Sequence, residues 1–295
     1  MKFILPAAAV AIALPLSAGC VVVDSQGHIA REEKRFAVKG SPELRLTTFD
    51  GSIEIRSVDS KAAVVVEIEK RGATKEAIEQ LTVETTQNGD RIEVTVKRPN
   101  QGVEVFGIGR MSATARLIVT MPREGNVVAR SGDGAIRVEH VRGRIEARTG
   151  DGSIRATDVT GQMKFSTGDG SVTIDNAEGD LDVETGDGSV SVAGKLGVVK
   201  LNTGDGSITF RADQGTTMQG DWSMITGDGG VSLYLPSDFA AELDAHTGDG
   251  SIRNELSVSD TPAGEDRRTL KGKIGAGGRT LRIRTGDGSV RLKAS

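Results

Sequence analysis

Residues 149–171 read TGDGSIRATDVTGQMKFSTGDGS, so the pentapeptide TGDGS both opens and closes this stretch. The motif or a near copy starts at Thr149, Thr167, Thr185, Thr203, Thr226, Thr247 and Thr285. Ser131 opens a variant, SGDGA, and Thr48 a more distant one, TFDGS. From 131 to 203 the copies are 18 residues apart every time. A fixed period of this kind marks a repeat architecture, in which each unit buries its apolar face on its neighbours.

Counted from each motif's first residue, positions −4 and −2 are apolar: Val127/Ala129, Ile145/Ala147, Met163/Phe165, Leu181/Val183 and Val199/Leu201 in the regular run. Positions +5 and +7 follow the same rule, with Ile136/Val138, Ile154/Ala156, Val172/Ile174, Val190/Val192 and Ile208/Phe210. The later copies agree except at Asn254. Polar residues such as Glu146, Lys164, Asp182 and Lys200 stand between the apolar ones. Period-two alternation describes strands with one buried face, whereas a helix needs apolar residues three to four apart.

The step from −2 to +5 is seven residues, and so is the step from +7 to the next −4. An odd step along a straight strand carries a side chain to the other face, so each step must contain a corner. TGDG supplies one corner, and a looser segment such as TDVTG or DNAEG supplies the other. Glycine reaches positive φ and aspartate bonds local backbone, which is the expected reason for GDG at a tight arc.

Two architectures satisfy this pattern. A meander of antiparallel hairpins is one, because Gly-Asp-Gly can also close a hairpin. A parallel β-solenoid with about 18 residues per regular coil is the other, and the reading favours it. Identical repeats stack naturally in register. Glu146, Lys164, Asp182 and Lys200 would then form a row of alternating sign, at a spacing of about 4.8 Å.

The chain has 295 residues, 39 of them glycine, with 37% hydrophobic and 26% charged residues, which fits a folded, turn-rich protein. A formal net charge of −4 argues against a nucleic-acid partner, which needs basic surface. Aromatic residues are 3% of the chain, with one tryptophan, Trp222, and one tyrosine, Tyr234.

The amino terminus, MKFILPAAAVAIALPLSAGC, has a lysine, an apolar run broken by Pro6 and Pro15, and small residues before Cys20. That is signal-peptide organisation, and the run is short for a membrane span. LSAGC resembles the lipobox of bacterial lipoproteins, with Ala18 and Gly19 at the small positions and Ser17 where leucine is commonest. The expectation is cleavage between Gly19 and Cys20 and a lipid on the Cys20 thiol. The alternative is an ordinary signal peptide ending near a cysteine. Cys20 is the only cysteine, so it has no disulfide partner within the chain.

The expected layout is a signal peptide over 1–19, a tether over 20–39 with the first strand material around Phe36 and Val38, a β-rich section over 40–122 and the solenoid over 123–295, continuous with that section. Within the β-rich section, AAVVVEIEK (62–70) and ATARLIVTMP, ending at Pro122, read as strands. The spacing predicts one short helix over 74–82, with Thr74 as N-cap and Ile78 and Leu81 on one face. Asn88-Gly89 between alternating stretches signals a hairpin. QGVEVFGIG (101–109) reads as a loop, and ELSVSDTPAGEDRR (255–268) as a surface excursion.

The strand LIVTMP, the repeats and the ending LKGKIGAGGRTLRIRTGDGSVRLK resemble a bacterial putative-adhesin family of β-strand repeats, domain of unknown function 4097. The resemblance covers roughly residues 40–295. It implies a right-handed parallel β-helix and an envelope location. The adhesin label of that family is itself an inference from fold.

Two sets of residues are candidates for chemistry. The aspartates of the motif, Asp133, Asp151, Asp169, Asp187 and Asp205, suggest calcium at a corner, as in nonapeptide β-rolls. Each turn offers one carboxylate and one or two hydroxyls, whereas calcium takes six or more oxygens. The favoured reading has these aspartates bracing their own turns in water, with no metal or cofactor. His28, His140 and His246 are scattered and lie in no catalytic motif, so no catalytic residue is assigned. The expected function is a non-enzymatic, lipid-anchored envelope protein, adhesin-like, on the outer membrane if the cell has two membranes. Its partners would be the membrane, through the anchor, and an envelope polysaccharide or protein. The alternative is a polysaccharide lyase or hydrolase on the same scaffold, or a calcium-binding repeat.

Overall fold

The computed structural model describes residues 18–24, 27–59, 63–97, 113–261 and 267–295. It is an all-β, solenoid-like repeat with one short helix. The regular run consists of β9 (Asn126–Ser131), β10 (Ile136–Glu139), β11 (Arg142–Arg148), β12 (Ile154–Thr167), β13 (Val172–Thr185), β14 (Val190–Thr203) and β15 (Ile208–Ala212). Pairing is parallel, which excludes the meander for this run: Ile136 faces Ile154, Ile154 faces Val172, Val172 faces Val190 and Val190 faces Ile208. The charged row is in register as well, with Glu146 beside Lys164, Lys164 beside Asp182 and Asp182 beside Lys200. Lys164 and Asp182 form an ion pair at 3.2 Å.

Every inward position named above is buried. A Val, Ile or Leu taken fully out of water contributes about 1.5–3 kcal/mol, so these stacked rows dominate the favourable side of folding. Near the carboxyl end the core turns aromatic. Trp222 packs edge-on against Phe210 at 5.0 Å and against Phe239 at 5.2 Å, and its Nε1 donates to the Gly197 carbonyl at 3.1 Å.

Towards the amino terminus lie β1 (Ala18–Asp24), β2 (Gly27–Ala37), β3 (Glu43–Thr48), β4 (Ile53–Val58), β5 (Ala63–Gly72), α1 (Lys75–Glu79), β6 (Thr82–Asn88), β7 (Arg91–Lys97) and β8 (Ala113–Pro122). β3 and β4 form a rung on which β9 and β10 stack on one side and β7 and β8 on the other. β5, β2 and β1 then continue the sheet antiparallel from β8. In α1, Thr74 Oγ1 accepts from the Ala77 N–H at 3.2 Å, and Ile78 and Leu81 are buried. The β6–β7 hairpin pairs Asn88 with Arg91, so its two-residue loop is Gly89-Asp90, with Gly89 at φ 60°.

The tether expected over 20–39 is corrected. Residues Gly27–Ala37 form a strand paired along its length with β5. Its inward positions include Lys34 as well as Phe36, and the buried Lys34 is satisfied by Glu32 at 3.3 Å and Thr85 Oγ1 at 3.3 Å. A charged residue on the buried face hid the alternation. The loop expected at 101–109 lies outside the described residues.

The remaining strands are β16 (Trp222–Thr226), β17 (Val231–Leu235), β18 (Ala241–Thr247), β19 (Ile252–Asn254), β20 (Val258–Ser259), β21 (Thr269–Ile274), β22 (Thr280–Thr285) and β23 (Val290–Ala294). β16–β17 stacks on the regular run. Asn254 breaks the apolar rule because it sits on the terminal rung, exposed, where its side chain bonds the backbone of Leu256 at 3.0 Å in both directions. The expected excursion at 255–268 contains β20, which pairs with β21; residues 262–266 lie outside the described residues.

Candidate functional site

The TGDG corner is a backbone stack. The threonine that opens each copy is buried, and from Thr149 onwards its hydroxyl bridges to two carbonyls of the neighbouring rung. Thr167 Oγ1 donates towards Gly150 O at 3.0 Å and Gly152 O at 2.9 Å; Thr185 meets Gly168 O at 3.2 Å and Gly170 O at 3.1 Å. Thr149, Thr203 and Thr226 repeat the arrangement. The same hydroxyl accepts from its own turn, as from the Gly170 N–H at 3.3 Å.

The expected reason for the motif's glycines is corrected. None of them adopts a left-handed φ. They are required because corners pack backbone to backbone: a Cβ on Gly170 would lie 2.0 Å from Gly152 O, and one on Gly168 2.8 Å from Gly150 O. Positive φ belongs instead to the looser corner, at His140 (61°), Asp158 (53°) and Asn176 (54°). Histidine, aspartate and asparagine are among the non-glycine residues that enter this region most readily.

Asp133, Asp151, Asp169, Asp187 and Asp205 are exposed, one per rung. Among the described residues no group of three or more His, Cys, Asp or Glu side chains is arranged to hold a metal ion. Gly19 and Cys20 fall in β1, whose backbone pairs with β2; residues 1–17 of the expected signal peptide lie outside the described residues. No helix among the described residues is long and apolar enough to cross a membrane.

The second corner builds a groove. Three successive rungs align His140, Asp158 and Asn176, and beside them Arg142, Thr160 and Glu178. With Arg123 they line an open depression of about 280 Å³. His140 Nδ1 lies 3.1 Å from Asp158 Oδ2, and Asn176 Nδ2 donates to the other Asp158 oxygen, so both carboxylate oxygens are engaged. Arg123 reaches Asp59 at 3.4 Å. Arg142 and Glu178 make no ion pair with any described residue. Thr160 separates them, putting them two rungs apart, about 10 Å, where solvent screens their attraction.

One wall is therefore locked by hydrogen bonds, and the other offers a guanidinium, a hydroxyl and a carboxylate in line. That suits a polar, hydroxyl-bearing or charged ligand, and among the described residues no Phe, Tyr or Trp lines the groove. Among the described residues the His140 ring pairs with Asp158 and with no hydroxyl; Ser57 donates instead to the His140 backbone carbonyl at 2.5 Å.

Residues 41–293 match the family model described as Toastrack DUF4097. The chain belongs to this family. Among solved structures, this Toastrack chain is similar to a "putative adhesin" of Bacteroides fragilis NCTC 9343, at 9% identity and TM-score 0.40, covering 90% of this chain and 97% of that one. It is also similar to a "putative lipid binding protein" of Parabacteroides distasonis ATCC 8503, at 12% identity and TM-score 0.41, covering 89% and 96%. A third is a "putative cell adhesion protein" of Clostridium sporogenes ATCC 15579, at 12% identity and TM-score 0.25, covering 96% and 100%. No curated protein matches the chain.

The three histidines are scattered along the sequence, and His246 lies on a different rung from His140, bonding Thr269 Oγ1 at 3.0 Å. The partners of His140 were nevertheless readable: Asp158 and Asn176 follow it at steps of 18, the same period as the motif.

Proposed function

We propose that this Toastrack protein is a non-enzymatic, lipid-anchored component of the cell envelope, adhesin-like, whose solenoid winds as a right-handed coil of about 18 residues. The observation that carries the binding role is the second-corner groove, an open polar surface in which the Arg142 and Glu178 side chains make no ion pair with any described residue. Its partner is an envelope polysaccharide or protein. The sequence LSAGC supports the anchor on Cys20, and Val21, not being aspartate, permits sorting to an outer membrane where there is one. Stable anchoring takes two or more acyl chains, each adding about 0.8 kcal/mol per buried CH₂.

Two experiments test this reading. Cys20→Ser should leave the protein soluble or unprocessed and without incorporated labelled fatty acid; label retained in the variant would overturn the anchor. Binding of envelope polysaccharide or protein fractions should weaken in Arg142→Gln/Glu178→Gln, and unchanged binding would remove the groove from the account.

A second reading, a carbohydrate-active enzyme, is favoured by one observation, the His140–Asp158 pair at 3.1 Å in an open groove. A histidine oriented by a carboxylate can act as general acid or base. Incubation with envelope polysaccharides decides between them. Reducing ends or unsaturated products that disappear in His140→Ala would establish the enzyme, and their absence supports the binding protein.

A further inference from the structure

The rungs are not stacked in chain order. Across the carboxyl end the order in space is β16–β17, then β22–β23, then β18–β19. The chain leaves β17, skips a rung's width through residues 236–240, builds β18–β19 and β21, and only then fills the vacant place with β22–β23. Leu281 accordingly lies between Trp222 and Leu243, and Val290 between Val231 and Ile252. The threonine ladder follows the spatial order. Thr285 Oγ1 donates to Gly229 O at 2.8 Å, and Thr247 Oγ1 to Gly288 O at 2.7 Å.

Among the described residues, β18 and β19 pair with no strand earlier than themselves, only with β21, β22 and β23. The inserted rung therefore joins residues 241–274 to the main stack. Its attachment to its own chain is the segment Gly275–Arg279, in which Gly275, Gly277 and Gly278 hold φ of 56°, 76° and 134°. Such a turn is compact because it is glycine, and released from those angles five residues reach about 17 Å.

We infer that the slot between β16–β17 and β18–β19 is a recognition site for a rung of this motif, and that its partner, besides the chain's own β22–β23, is the β22–β23 rung of a second copy. The slot reads backbone edges on both sides, the inward residues Leu281, Ile283, Val290 and Leu292, and the Thr285 hydroxyl. All of these are identical in a second molecule. Closure within one chain enjoys an effective concentration in the millimolar range. Exchange between copies wins when they are crowded or when the hinge is too short to span.

Cross-linking on the full chain tests the proposal, in a Cys20→Ser background. Ser223 and Arg282 are register partners on the outer face, about 4.8 Å apart between backbones, within reach of a disulfide. Copies bearing only Ser223→Cys are mixed with copies bearing only Arg282→Cys at roughly 1 mM, near the closure concentration, and warmed briefly. The expected result is a disulfide-linked dimer that exceeds several-fold the dimer formed by either variant alone. Deleting Gly277 and Gly278 should raise that fraction further. The double variant Ser223→Cys/Arg282→Cys, which should close within one chain, verifies the geometry independently of the hinge deletion. An intrachain disulfide in the double variant, with no interchain excess in the mixture at either hinge length, would overturn the proposal. If the shortened hinge fails to fold, the native-hinge mixture alone decides.

Discussion

At the scale of single residues, the motif is explained by close approach. Gly170 has no room for a side chain because its Cβ would sit 2.0 Å from Gly152 O and 2.6 Å from its carbon. Gly170→Ala must push two rungs apart, and the expected loss is about 1–3 kcal/mol or more, read from denaturant unfolding. Asp169→Asn changes an exposed group and should stay within about 0.5 kcal/mol of wild type. Millimolar calcium should leave the melting temperature nearly unchanged; a large rise that vanishes in Asp169→Asn would restore the calcium reading. Thr167→Val keeps the shape and removes a buried hydroxyl that serves Gly150 O, Gly152 O and the Gly170 N–H. It should cost about 1–3 kcal/mol, whereas Thr167→Ser should cost less. The need for glycine was legible in the sequence, but its cause was not. Left-handed φ and a touching neighbour demand the same residue, and only the stacked backbone tells them apart.

At the scale of elements, the strands of the regular run were legible because inward residues alternate without a break, and α1 because Thr74 caps an apolar pair. β2 was legible only at its end, around Phe36, because Lys34 occupies an inward place, and the His140 groove shows in the sequence only as a step of 18, because its members come from different rungs. The inserted β22 is held by a polar contact as well as by its ladder. Arg284 on β22 pairs with Asp244 on β18 and donates to the Asp244 carbonyl at 2.7 Å, while Lys271 on β21 stands 3.7 Å from the same carboxylate. Burial pushes the Asp244 carboxyl up, but the Arg284 guanidinium, with Lys271 and Arg282 beside it, outweighs burial and holds it below its ordinary value. A carboxyl depressed on folding stabilises the fold at pH above its unfolded value, and that stability is lost as pH falls through the folded value. Acid below about pH 4 should therefore destabilise the wild type more steeply than Asp244→Asn. Equal acid slopes in a urea titration would show that the pair contributes nothing.

At the scale of the whole molecule, the sequence carries the rung but not the order of rungs. Thr247 and Thr285 are 38 residues apart, which announces a detour. It does not say on which side of the earlier rung the detour returns, because copies that share one motif fit one another's places equally well. The central claim is that motif copies stack in parallel with β22–β23 inserted between older rungs, and distances from one reference position test it most directly. Arg155, Thr209, Ser232, Arg291 and Arg253 occupy one outward row in that spatial order. Spin labels at Arg155 and at each of the others, one pair per sample, should give distances that rise through 209, 232, 291 and 253 by about 4.8 Å per rung. The label at 253 should therefore be farther from 155 than the label at 291, although it is nearer in sequence. A distance to 253 shorter than that to 291, or steps that do not grow evenly, would contradict the account.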